Sequence, residues 1–252
     1  MKKIRHKLNK HKKVSISISV ILIIFSGLLV YIDYNNAQKV LDSIKVIDFE
    51  AELLKRQEQF LNKIKSLDLE TDNSITKFVN NEISFNSIDY IPEGLESIKS
   101  EYIFDTKWYW KVRKVANDSL QKLAKEFYME FNIKLKVVSS YRSYNYQKGI
   151  KDRWCPDNLC AKAWYSEHQS WLAVDIFAAS TQQDWQTNPN YTKYFEWFKE
   201  NAHKYWFHNT YQRWLEIDWY EIEPWHWRYM WKDLAKYLFE NELTIAEYYN
   251  KI

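Results

Sequence analysis

Through VRKVANDSLQKLAKEFYMEF (112–131) apolar residues return at helical spacing and place Val115, Leu120, Leu123 and Phe127 on one side, which predicts an amphipathic helix. IKLKVVSSYRS, directly after it, alternates like a strand, and LAVDIFA is an apolar run of strand length. YTKYFEWFKENAHKY is helical again. EIEPWHWRYM predicts a strand interrupted by Pro224, and KDLAKYLFENELTIAEYYNK a terminal helix or two short ones. Helices and short strands mixed without a regular βαβ repeat predict an α+β fold, a small antiparallel sheet flanked by helices. No internal repeat or low-complexity tract interrupts the pattern.

The N-terminal pattern is different. VSISISVILIIFSGLLVYI (14–32) carries no charge, and as a helix it would span roughly 28 Å, close to a bilayer's hydrocarbon core. It reads as a transmembrane helix. The preceding MKKIRHKLNKHKK holds seven Lys and Arg and no acid, which predicts a cytoplasmic N-terminus and an extracytoplasmic remainder. A cleaved signal peptide is the competing reading, but the run exceeds a usual signal core and YIDYNNAQ lacks a small-x-small site. Residues 33–74, polar with apolar positions at helical spacing and free of Gly and Pro, predict a helical stalk; the heptads are too short and irregular to favour a coiled coil. From Ile75 short mixed segments take over. The expected organisation is a basic tail (1–13), an anchor (14–32), a stalk (33–74) and a catalytic domain (75–252).

Charge and composition change this picture in three places. Outside the basic tail 29 basic residues face 33 acidic ones, so no electrostatic reason points to nucleic acid. Cys155 and Cys160 in WCPDNLC read equally as a local disulfide, which an oxidising compartment permits, or as two free thiols. Glycine occurs three times and tryptophan thirteen, where average usage would give about 18 glycines. Oligomeric state leaves no signature.

Of six histidines, His6 and His11 belong to the tail, and His203 and His208 read as packed or solvated rings. His168 and His226 differ, because Asp175 follows the first by seven residues and Glu223 precedes the second by three. A hydrolytic zinc site needs three His or carboxylate ligands, an open position and a base that is not a ligand. His168, Asp175 and His226 can supply the ligands and Glu223 the base. Pro224 cannot donate into a sheet, so the chain must bulge between Glu223 and His226. His168 and Asp175 are an odd number of residues apart, so a turn between them is required to aim both at one point. No HExxH helix is present. Spacing alone leaves a chance arrangement equally open.

Three strings decide more. SSYRSYNYQ (139–147), SEHQSWLAVD (166–175) and EPWHWRYM (223–230) resemble, in order, the signature segments of VanY-type D-alanyl-D-alanine carboxypeptidases, zinc peptidases of bacterial cell-wall peptides. KFVNNEISFNSIDYIPEGL looks like the start of that family's domain, and the resemblance runs from about residue 77 to 240. It implies that His168, Asp175 and His226 bind Zn²⁺ and that Glu223 is the catalytic base for attack of a metal-activated water on the peptide bond before a terminal D-Ala. It also implies that Arg142 engages the substrate's carbonyl or carboxylate, and that Gln147, Ser166 and Trp225 are pocket positions. For Arg142 the chemistry agrees independently, since a planar, permanently charged fork suits a carboxylate or oxyanion. The implied substrate is the peptidoglycan stem peptide. An L,D-carboxypeptidase, a D-Ala-D-Ala dipeptidase and a non-catalytic peptidoglycan-binding domain are the alternatives; Glu223 beside His226 argues against the last.

The family pattern has Gly at the positions of Trp164, Trp171, Trp206 and Trp231, with Trp219 a candidate fifth, whereas Trp225 matches a family Trp and Trp197 suits a helix core. At position 171 a tight turn between metal ligands calls for φ > 0, which a β-carbon obstructs. One reading makes these residues glycines in the organism, encoded by UGA codons that mean Gly. The other, an aromatic-lined pocket for glycan or peptide stacking, explains the tryptophan excess but not the glycine deficit.

Overall fold

The computed structural model describes residues 2–251 except 88–89, 105–109 and 177–181, with backbone only for 2–22 and 182. The chain divides into two compact units, 1–63 and 64–252, so the second begins before the expected boundary near Ile75. The tail from Lys2, the expected anchor and the expected stalk as far as Lys65 are one helix, α1 (Lys2–Lys65), and residues 66–74 are not helical. Among the described residues no helix is long and apolar enough to cross a membrane. The anchor expected over 14–32 therefore finds no support there, and the side chains of its first nine residues lie outside the described ones.

The second unit contains β1 (Leu95–Ser97), β2 (Lys111–Arg113), α2 (Lys114–Phe131), β3 (Val137–Ser139), α3 (Tyr144–Asp152), β4 (Ala173–Ile176), α4 (Gln182–Thr187) and α5 (Pro189–Asn201). β5 (Phe207–Asn209), α6 (Leu215–Asp218), β6 (His226–Tyr229), α7 (Lys232–Glu240) and α8 (Ile245–Tyr249) follow. β1 and β2 form a two-stranded ribbon, and the main sheet is antiparallel in the order β3-β4-β6-β5. The α+β expectation of a small antiparallel sheet flanked by helices holds. The terminal segment forms two helices.

Period-2 alternation gives the sheet two different faces. Val174 and Ile176 of β4 and Trp227 and Tyr229 of β6 point into the core, where Leu120, Leu123 and Phe127 of α2 and Phe198 of α5 meet them. Asp175, His226 and Arg228, at the intervening positions, are buried on the opposite face. The stripe of α2 runs through Ala116, Leu120, Leu123, Ala124 and Phe127. Val115 is not part of it and stands 39 % exposed; one position separates it from Ala116, and at about 100° per residue that step turns it out of the stripe. The strand expected over EIEPWHWRYM begins only at His226, because Glu223–His226 is a β-turn closed by His226 N–H to Glu223 O at 3.0 Å. Proline at the second turn position presets the backbone there rather than interrupting a strand.

Six tryptophans have left-handed backbone: Trp154, Trp164, Trp171, Trp206, Trp219 and Trp231, with φ between 62° and 80°. Trp171, Trp206 and Trp219 each cap the C-terminus of a helical turn, the position where glycine is favoured because αL costs a residue with a β-carbon roughly 1–2 kcal/mol. Trp231, at φ 67° and ψ 152°, lies in a region open essentially to glycine alone. Outside tryptophan, only Asn132 and Glu242 among the described non-glycine residues have φ > 0.

Candidate metal centre and active site

The polar face of the main sheet and a short 3₁₀ turn, Glu167–Ser170, build the centre together. The turn carries His168, Trp171 ends it in αL, and β4 then brings in Asp175, which supplies the reversal that the odd spacing requires. Asp175 pairs directly with His226 across β4 and β6. Its Oδ1 is 3.2 Å from His168 Nε2 and 3.2 Å from His226 Nδ1. Ligand atoms about 2.1 Å from one ion at tetrahedral angles stand roughly 3.4 Å apart, so these residues fit a shared cation. All three are buried, with their ligand atoms within 4.8 Å of one another.

Each imidazole is oriented through its other nitrogen. His168 Nδ1–H donates to Ser140 O at 2.6 Å, which leaves Nε2 for a metal. His226 Nε2–H donates to Glu167 Oε2 at 2.8 Å, which leaves Nδ1. Second partners of this kind fix tautomer and ring angle. Glu167 is itself fully buried, accepting from Arg228 Nη1 at 2.6 Å and from Thr210 Oγ1 at 2.7 Å.

Charge in this cluster is set by burial against pairing. Burial alone would raise Asp175, yet the His168 and Arg142 charges hold it well below the usual carboxylate range. Burial opposes ionised Glu167 too, but Arg228 and His226 bring it down to about 2. Burial, with Arg142 adding, lowers His168 to about 4. For His226 burial is overcome by hydrogen bonds to Asp175 and Glu167, which raise it to about 10.

Glu223 faces this cluster from the turn, its Oε2 3.9 Å from His226 Nδ1. Burial pushes its carboxyl up to about 7. Asn209 clamps the turn by donating Nδ2–H to Glu223 O at 2.7 Å and to His226 O at 2.8 Å. Arg142 places Nη2 on Asp175 Oδ2 at 2.7 Å and Nε on Ser139 Oγ at 3.2 Å. Gln147, buried, donates Nε2–H to Ala161 O at 2.7 Å, while its Oε1 is buried with no partner. Arg142, Gln147, Ser166, His168, Glu223 and His226 line one cleft.

The structure thus gathers every expected site residue except Trp225, which packs against the core and is not among the cleft residues. Beyond those, Leu159–Ala161, Tyr211 and Tyr220 complete the cleft, and Cys155 pairs with Cys160 in a disulfide beside it. The Tyr211 ring lies 4.8 Å from the His226 ring. An acidic residue next to a candidate ligand was the available signal for Glu167; nothing local announces the tyrosines, which come from a connecting segment. His203 stacks on Phe239 at 3.6 Å and His208 is buried against Gln212 Nε2 at 3.1 Å, both as packed rings.

Comparison with known proteins agrees. Residues 110–232 match the family model described as VanY, D-alanyl-D-alanine carboxypeptidase. The "Putative carboxypeptidase YodJ" of Bacillus subtilis (strain 168) is 32% identical over 228 residues, covering 85% of this chain and 82% of that protein. Among solved structures, the LdcB LD-carboxypeptidase aligns with TM-score 0.63 at 31% identity, over 72% of this chain and 88% of the other. VanYB in complex with D-alanine-D-alanine shares the fold at TM-score 0.53 and 24% identity, covering 69% and 96%. A vancomycin-resistance D,D-pentapeptidase VanY variant in complex with Zn(II) does so at 0.54 and 23%, covering 69% and 97%. The chain belongs to the VanY family of D-alanyl-D-alanine carboxypeptidases.

Proposed function

We propose that this protein is a zinc-dependent D,D-carboxypeptidase that removes the terminal D-Ala from peptidoglycan stem peptides. The observation that carries the reading is Asp175 Oδ1 standing 3.2 Å from one nitrogen of each of His168 and His226, with the Glu223 carboxyl 3.9 Å from the latter. Two imidazoles and one carboxylate with room for a further ligand suit Zn²⁺ in a hydrolytic site. When bound, the ion supplies a Lewis acid that polarises the scissile carbonyl and acidifies water.

The chain's own groups do the rest. Glu223 takes the proton of the attacking water and returns it to the leaving amine, a role that suits a carboxyl whose proton affinity burial has raised. Arg142, tied to Asp175 by one arm, offers its remaining donors to the oxyanion or the terminal carboxylate. Gln147 Oε1, buried without a partner, accepts from a substrate N–H, since an unpaired buried acceptor is costly until filled. Ser166 borders the same cleft.

The likeness to the LdcB LD-carboxypeptidase, at 31% identity, favours a second reading in which the tetrapeptide is the substrate. Release of D-Ala from defined penta- and tetrapeptides separates the two. Its loss in Glu223→Gln with zinc still bound tests the base, and equal activity in that variant overturns the assignment. We further infer an extracytoplasmic location for the catalytic unit, supported by the uncharged run 14–32 behind seven basic residues and by the Cys155–Cys160 pair. Recovery of the protein in the soluble cytosolic fraction sinks that inference.

A further inference from the structure

The backbone geometry points to six tryptophans that are glycines in the native polypeptide: positions 154, 164, 171, 206, 219 and 231. Of the described tryptophans these six have φ > 0, against two residues among all other non-glycine types. They do not share an environment. Trp154 is 94% exposed and Trp171 only 6% exposed, so no common aromatic surface explains the set, whereas a common backbone demand does. Trp231 takes φ 67° and ψ 152°, where a β-carbon of any kind is strained. Trp185 and Trp227, in contrast, fill the core at 0% and 3% exposure with ordinary φ, and Trp197 packs edge-on against Phe127 at 5.4 Å. Those are genuine tryptophans.

UGA read as glycine but written as tryptophan produces this pattern. Two indoles packed on the segment that carries Arg142 then disappear: Trp171, stacked on Tyr141 at 3.7 Å, and Trp164, 5.3 Å from Tyr144. The gene tests this directly, with UGA expected at the six positions and UGG at 185, 197 and 227; UGG at 164, 171, 206 and 231 overturns it. Peptide mass spectrometry of protein from its native source should find glycine at the six sites, and indole there refutes the idea. In full-length recombinant protein, the combined six Trp→Gly substitutions should raise Tm, while Trp185→Gly and Trp227→Gly lower it. An unchanged or lower Tm for the six-fold variant also overturns the inference.

A separate observation carries a second inference, which rests on the metal reading. We infer that Glu167 is a positioning residue for the metal: its Oε2 takes the His226 Nε2–H at 2.8 Å and so presents Nδ1 beside Asp175 Oδ1 at 3.2 Å. Arg228 and Thr210 hold that carboxylate in place at 2.6 and 2.7 Å, and Arg228 is pinned by Lys77 O at 2.5 Å. Glu167→Gln, nearly isosteric, should weaken zinc binding by about 10–100-fold in competition with a chelator. In the same variant the His226 Nε2–H proton resonance should move upfield, because an amide oxygen accepts more weakly than a carboxylate. Unchanged zinc affinity and an unchanged Nε2–H resonance in a folded Glu167→Gln protein refute the role, and Glu167→Asp is the substitute should the first variant not fold. Absence of zinc binding in the wild type would instead remove the metal reading itself.

Discussion

Asp175 and His226 face each other across β4 and β6, with Oδ1 and Nδ1 3.2 Å apart. The backbone ladder thus sets the separation of two ligands, and the 3₁₀ turn adds the third, His168. A cation held there joins three pieces of chain, so its binding is linked to stability. Saturation at about 100 times Kd should add roughly 2.7 kcal/mol, read as a zinc-dependent rise in Tm. Asp175→Asn should abolish that rise and leave sub-stoichiometric zinc after dialysis. A variant that keeps one equivalent of zinc contradicts the assigned ligand set.

Glu223 and the candidate ligand His226 are the two ends of one β-turn. Glu223→Gln should retain zinc and fold, with kcat lower by about 10²–10⁴-fold. If kcat is preserved while KM rises, Glu223 binds substrate rather than moving a proton.

His208, buried in β5, is lowered to about 4, chiefly by burial. The unfolded chain takes up this proton near pH 6.5 and the folded one only near 4, so the unfolded state binds more protons between those values. Stability contributed by neutral His208 is complete above pH 6.5 and is lost as pH falls toward 4, by roughly 3 kcal/mol. Denaturant unfolding of wild type and His208→Gln should show the difference between them shrinking by that order over this window. A pH-independent difference rules out the buried neutral ring.

On α2, Phe127 is fully buried and Val115 is 39 % exposed. Phe127→Ala should cost about 3–5 kcal/mol, whereas Val115→Ala should change stability by no more than about 0.5 kcal/mol. Comparable losses would place the helix's buried stripe elsewhere.

That contrast also shows where the sequence was legible. Period alone identified α2, β3, β4, α5, β6, α7 and α8 in kind, but placed Val115 on the stripe instead of Ala116, because a small apolar residue carries a weaker signal than a large one. The candidate ligands, the candidate base and Arg142 could be singled out because each lies in a short string that resembles a family signature segment, whereas their spacing alone left a chance arrangement open. β5 was missed because three residues, Phe207–Asn209, are too few to show a period. Tyr211 and Tyr220 reach the cleft only through the fold, and Glu167 is informative only once Arg228 and His226, about sixty positions later, come to meet it. Pro224 misled for a physical reason: the same missing N–H that interrupts a strand equally suits the second position of a turn.

The covalent ring from Cys155 to Cys160 reaches beyond its own loop. Leu159 and Cys160 belong to it and form one side of the cleft, and the Lys151 ammonium cross-ties it by donating to the carbonyls of Cys155 and Cys160 at 2.8 and 3.2 Å. Gln147 leans on Ala161, the next residue along. Opening the ring with a thiol reagent should therefore loosen that wall and leave the cluster of His168, Asp175 and His226 in place: affinity for a stem peptide should respond to the thiol chemistry of the surroundings, and affinity for zinc should not.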